Sequence, residues 1–138
     1  MYTYKATVDE IIDGDTVDVT VDLGFSTYKS ARLRLNKIDT PETRTRRDKE
    51  KKAGKLVEEF LKKLLKGESL TIKTSKDLKG SFGRYLADLY IEDIDISINQ
   101  YLLNKGYARE YISGAPEWKG KDLNHIIEDL SFLDSNTL

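Results

Sequence analysis

Three short clusters in this sequence hold residue types that could act on a phosphate ester. The first is Asp39-Thr40-Pro41-Glu42 with Arg34 just upstream: two carboxylates and a guanidinium where a strand gives way to a loop. The second, Ile12-Asp13-Gly14-Asp15-Thr16-Val17, offers more carboxylate at a tight turn, and the third, Phe82-Gly83-Arg84, sets another arginine after a loop. The lead-in Ala31-Arg32-Leu33-Arg34-Leu35 alternates apolar and basic, so Arg34 points to the face opposite Leu33 and Leu35. Two carboxylates, one further acid and two arginines are the parts needed for metal-assisted attack on a phosphodiester.

Asp15 and Asp39 are the candidate metal ligands. Oxygen ligands without histidine or cysteine nearby favour a hard cation, calcium or magnesium, over zinc. Too few side chains are present to enclose an ion, so the remaining positions fall to a backbone carbonyl, waters and substrate phosphate. Asp13 is adjacent and reads as a supporting acid. Glu42 is the candidate general base, since a carboxylate near a bound cation stays ionised and can order or deprotonate a water. It also complements the positive end of the helix that follows. Arg34 and Arg84 are candidate phosphate clamps, because the guanidinium presents a planar fork of donors that lysine lacks. Each residue alone has a plainer reading: a turn aspartate, a loop aspartate bonded to its own backbone, or a surface ion pair of the kind assigned to Arg32. Their occurrence together favours the chemical one.

In this order and at these spacings, IDGDTV, RLNKIDTPE and FGR resemble the staphylococcal nuclease-like (thermonuclease) family, from about Thr7 to Ala108. DTPE alone recurs by chance; DGDT followed by R-x4-DTPE and a later GR is specific. The resemblance implies that the aspartates bind Ca²⁺ together with the backbone carbonyl of Thr40, and that Glu42 is the base. It also implies that DNA and RNA are cut with little sequence preference, leaving 3′-phosphate ends. Magnesium stays open as the metal, because a weak calcium site would be nearly idle at resting cytosolic calcium. The chain departs from a well-known member in carrying Ser81-Phe82 where that protein has Lys-Tyr, which removes a charge and a hydroxyl near the substrate phosphate. Phe82 keeps an aromatic face for stacking on a base. Tyr107 and Tyr111 lie close to family tyrosines that pack on a nucleotide base without aligning securely, and a core position is the safer reading for both. His125 and Trp118 read as structural. The alternative function is a non-catalytic nucleic-acid or protein-binding module of the same fold. Such a module is expected to lack one or more of the five key acids and arginines, and all five are here.

Composition narrows the field less. The 138 residues suit one domain, 1–138, with a single core. With 23 Lys+Arg against 24 Asp+Glu, the net charge of −1 gives no bulk support to a nucleic-acid partner. Locally, Arg44 to Lys52 is rich in positive charge just after the DTPE loop; it reads as a solvated helix face that could also steer a phosphate backbone. Absence of cysteine excludes disulfides and thiolate metal sites. No leader-like segment opens the chain and no apolar run is long enough to span a bilayer, leaving both an intracellular protein and a mature secreted form open. Monomer is the default.

The elements that must position these residues follow from periodicity. Tyr2 to Ile12 reads as a first strand ending in a turn at Asp13-Gly14. Val17, Val19, Val21 and Leu23 share one face of a second, and Tyr28 to Ile38 makes a third. Short turns between them suggest an antiparallel meander. Ala53, Leu56, Val57, Phe60, Leu61, Leu64 and Leu65 form one helical stripe, stopped at Gly67. Leu70 and Ile72 mark a fourth strand, Ser75 to Gly83 a mobile loop, and Tyr85 to Ile91 a fifth strand. Asp95 is expected to N-cap a helix through Leu103, ended by Asn104 and Gly106. Tyr107 to Tyr111 reads as extended, and Leu123, Ile126, Ile127 and Leu130 mark a last helix. Five strands with a long helix after the third allow several small α+β folds. The resemblance selects the OB-fold, a five-stranded barrel, here with three helices.

Overall fold

The computed structural model of the chain describes residues 2–75 and 85–134. Strands β1 (Tyr2–Asp13), β2 (Thr16–Gly24) and β3 (Thr27–Leu35) form the antiparallel meander that alternation predicts. Helix α1 (Asp48–Leu65) follows, then β5 (Ser69–Thr74) and β6 (Tyr85–Ile91); the short β4 (Ile38–Asp39) lies between β3 and α1. β6 runs parallel to β3 and antiparallel to β5, which returns to β1, so the five long strands close into a barrel in the order β1-β2-β3-β6-β5. Closure leaves no unpaired edge among them. With α1, α2 (Ile98–Lys105) and α3 (Gly120–Leu130), this is the α+β barrel of OB-fold type.

The period of two puts Val17, Val19, Val21, Leu33 and Leu35 in the barrel interior and leaves Arg34 on the other face. Each such aliphatic side chain contributes about 1.5–3 kcal/mol when fully buried. α1 covers one end of the barrel with the predicted stripe: Ala53, Leu56, Val57, Leu61 and Leu65 are buried, Phe60 and Leu64 half-buried. α3 packs on α1 through Leu123, Ile126 and Leu130, with Ile127 half-buried. His125 reaches from α3 to donate from Nε2 to the Lys105 carbonyl at 2.8 Å, completing the end of α2, as a structural residue should. Among the described residues no helix is long and apolar enough to cross a membrane.

Three local expectations shift. The turn after β1 is Gly14-Asp15, one residue later than predicted. The predicted third strand stops at Leu35: Lys37 takes a positive φ of 64°, and the chain resumes as β4, paired with the two-residue β7 (Arg109–Glu110). This break takes Asp39 off the barrel wall. Ser97, not Asp95, caps α2 by accepting from the Gln100 N–H at 3.0 Å, a serine outcompeting an aspartate two residues too early. Most of the predicted 75–83 loop lies outside the described residues.

Gly54 matters most for what α1 holds in place. A Cβ at this position would stand 2.6 Å from the Pro41 carbonyl oxygen and 2.9 Å from that of Glu42. The bare helix backbone therefore lets the 41–42 segment lie directly against α1. Alanine is the better helix former by about 1 kcal/mol, yet here it must push two carbonyls away, and overpacking costs about 1–3 kcal/mol or more. Gly54→Ala is expected to lose stability by about 1–3 kcal/mol in urea unfolding; an equal or higher midpoint would show that the loop yields without cost.

Candidate active site

Four of the residues singled out by chemistry converge at the end of the barrel where the β1–β2 turn, the end of β3, β4 and the start of α1 meet. Asp15 is only 8% exposed. Its carboxylate accepts the Thr40 N–H at 3.2 Å and the Thr16 hydroxyl at 3.2 Å, and the Arg34 guanidinium stands 3.6 Å away. Gly14 permits this, since a Cβ there would meet the Thr40 hydroxyl oxygen at 2.7 Å. Arg34, opposite Thr16 across the β2–β3 ladder, also donates through Nη1 to the Leu35 and Ile38 carbonyls at 3.2 and 3.0 Å. It thus braces the turn that breaks the strand, while its partly exposed fork remains beside Asp15.

Asp39 follows on β4. Its carboxylate accepts from Arg109 Nε at 3.0 Å, and the two residues face each other in the β4–β7 pair. Glu42 is exposed, but its N–H donates to Glu50 Oε2 at 2.9 Å. Glu50, 3% exposed, also takes a fork from Arg47. Asp13 accepts the Thr43 hydroxyl at 2.6 Å and so ties the same loop to the end of β1. Arg32 pairs with Asp18 on the surface, as read from the sequence.

Crowding of acids sets the electrostatics. Burial pushes the Asp15 carboxyl above the usual carboxylate range; Arg34 and the Thr40 N–H pull it back, and Asp39 and Asp13 push it further up. The Glu42 carboxyl is raised as well, first by desolvation and then by Asp15, Asp13, Asp39 and Glu50. Such a centre is short of positive charge. Its donors are oxygens, as a hard cation requires. Among the described residues no three His, Cys, Asp or Glu side chains converge as a complete metal cage. The two aspartates match the donor chemistry of a hard cation and would leave most of its coordination to waters and other groups.

Beside Arg34 a cleft of about 440 Å³ is lined by Arg34, Leu35, Asn36, Lys37, Ile38, Leu86 and Tyr111. Tyr111 is 57% exposed, and the Arg34 guanidinium lies 5.5 Å from its ring centre. Tyr107 is placed differently. It is 3% exposed, packs edge-on against Phe60, and its hydroxyl bonds the Asp129 carboxylate, which with burial pushes its pKa up. That burial supports the core reading for Tyr107. Trp118 is buried under the Arg109 guanidinium. Arg84 and Phe82 lie outside the described residues.

Glu50, Thr43 and Arg109, which the structure places at the site, do not stand out in the sequence. Glu50 left a trace: it falls on the apolar stripe of α1, four residues before Gly54 and seven before Val57, where a charge needs a reason. Thr43 and Arg109 act through contacts 30 and 70 positions apart in the chain and left none.

Residues 32–128 match the family model described as "Staphylococcal nuclease homologue". The chain is 29% identical over 114 residues to "Endonuclease YhcR" of Bacillus subtilis, covering 78% of this chain and 9% of that protein. It is 33% identical over 107 residues to the "Thermonuclease" of Staphylococcus hyicus, covering 78% and 58%. An uncharacterized protein of Methanocaldococcus jannaschii is 32% identical over 141 residues, covering 88% and 65%. In each case the match spans less than two thirds of the relative's own length.

A raised Asp15 pKa has a consequence for stability. Between the unfolded carboxylate value of 3.8 and the higher folded one, the folded chain binds more protons, so stability falls as pH rises through that window. Above it the cost is fully present; below it, it vanishes. Asp15→Asn keeps an acceptor for the Thr40 N–H and removes the charge. In cation-free buffer at pH 7 it is expected to melt about 3 °C higher than the parent chain, with the gain fading as pH falls toward 4. A lower melting temperature at pH 7 would contradict the repulsion.

Proposed function

The chain belongs to the staphylococcal nuclease homologue family, and we propose from this premise that it is a calcium-dependent nuclease hydrolysing phosphodiester bonds of DNA and RNA with little sequence preference. The observation that carries the reading is the convergence of Asp15, Asp39, Glu42 and Arg34 at one barrel end. The nuclease names of several relatives agree with it. Asp15 and Asp39 hold the Ca²⁺, with the Thr40 carbonyl as a third donor; magnesium is the other candidate. When bound, the cation neutralises developing charge on the phosphate oxygens.

The protein's own groups do the rest. Arg34 presents its remaining N–H donors to a phosphate oxygen and stabilises the charge that builds as water attacks. Arg84 is assigned the same task from its motif. Glu42, hinged on a backbone fixed by Glu50, takes the proton from the attacking water. Burial and the surrounding acids raise its pKa, and positive charge nearby would favour the carboxylate, the form that acts as a base. The water oxygen bonds to phosphorus as the 5′ P–O bond breaks, and the departing 5′ oxygen takes up a proton from solvent, leaving a 3′-phosphate and a 5′-hydroxyl. Tyr111, beside Arg34 in the cleft, and Phe82 offer aromatic faces to a base. Every catalytic contact is to phosphate, which gives no means of reading sequence.

Steady-state cleavage of a DNA duplex and a single strand, with Ca²⁺ present, tests these roles. Glu42→Gln is expected to lower kcat by about 10²–10⁴-fold with the fold intact by circular dichroism. Arg34→Lys should lower it by about 10²–10³-fold, because a point charge replaces the fork. Undiminished turnover in Glu42→Gln would remove the base assignment. A parent chain that binds DNA without cutting it under any cation would instead favour the non-catalytic module.

A further inference from the structure

Arg109 does not stand out by sequence chemistry, yet among the described residues it is the side chain that forms an ion pair with Asp39. Nε donates to Asp39 Oδ2 at 3.0 Å, with both side chains partly buried at 29% and 19% exposure. Three constraints hold it there. It is the register partner of Asp39 in the β4–β7 ladder. The Tyr111 N–H donates to the Lys37 carbonyl at 2.9 Å, fixing the strand beyond it. Its guanidinium carbon stands 4.7 Å from the Trp118 ring centre, a favourable cation–π contact.

We propose that Arg109 is a positioning residue that sets the cation affinity of the site, by holding a fixed positive charge on Asp39 against which an incoming divalent ion must compete. The inference rests on the reading of Asp15 and Asp39 as cation ligands. In the cation-free chain Arg109 offsets part of the repulsion among Asp13, Asp15, Asp39 and Glu42. Among the described residues Arg109 engages Asp39 Oδ2, so Oδ1 is the oxygen left to a cation. The same charge repels a cation bound at that oxygen. A carboxylate engaged by arginine is therefore a weaker cation ligand than a bare one, and the threshold for occupancy rises. Because Trp118 is the sole tryptophan of the chain, any displacement of Arg109 on binding is reported by its emission.

Calcium titration of the full chain, by calorimetry and by Trp118 fluorescence at low ionic strength, decides the matter without any measurement of cleavage. Arg109→Gln is expected to tighten Ca²⁺ binding about tenfold, the scale of one unit charge acting on a divalent ion across a few hydrated ångströms. Arg109→Lys keeps the charge and should bind within about twofold of the parent. In the parent, saturation should shift Trp118 emission; in Arg109→Gln the shift should be lost although binding persists. Equal affinity in the parent and Arg109→Gln, or weaker binding in the glutamine variant, would overturn the inference and leave the cation site standing. Absence of any Ca²⁺ binding to the folded parent chain would overturn the cation reading itself.

Discussion

Holding the Asp15 carboxyl almost out of water beside other acids is the constraint around which this end of the molecule is built. An isolated buried carboxylate is expensive, and neighbouring carboxylates increase the cost. The chain answers with the Thr40 N–H, the Thr16 hydroxyl and the Arg34 guanidinium. Each of those groups also does something else. Thr40 follows Asp39 directly, Thr16 opens β2, and Arg34 braces the 35–38 turn. The two aspartates, the turn and the barrel wall are therefore fixed together. The repulsion left over is a cost in stability that added positive charge would relieve.

The loop carrying Glu42 has no regular structure of its own, and its position is borrowed from the elements on either side. Gly54 brings the α1 backbone against residues 41 and 42. The buried Glu50 carboxylate takes the Glu42 N–H, and Thr43 bonds back to Asp13 on β1. Exposure of the Glu42 side chain is thus combined with a held backbone. Reach and a fixed position are what the proposed general-base role requires. On the far side, β7 and Trp118 anchor Arg109 against Asp39. The segment after α2 thereby contributes to a site whose recognisable motifs all precede it.

Much of this was legible in the residues themselves. Alternation in Val17, Val19 and Val21 and the stripe of α1 give the barrel strands and the helix, because burial imposes periods of 2 and 3.6 directly on composition. Asp15, Arg34, Asp39 and Glu42 stood out through type and spacing, and the fold brings them together. What stayed hidden depends on geometry that leaves no local pattern. The strand break at Lys37 occurs in a run whose composition still suits a strand, and a lysine at positive φ has no signature. Arg109 and Asp39 meet across 70 positions. Tyr107 and Tyr111 look alike in sequence, but one turns into the core and the other to the cleft by Arg34.

A centre of paired aspartates, an arginine and a glutamate should cleave phosphodiesters only with a hard divalent cation. The most direct measurement is DNA cleavage by chelator-stripped protein, followed by stepwise return of Ca²⁺ or Mg²⁺, with the chemistry of the new ends determined. The expected result is no cleavage in chelator, recovery with Ca²⁺, and 3′-phosphate ends. Cleavage that persists at full rate in chelator would contradict a cation-dependent centre.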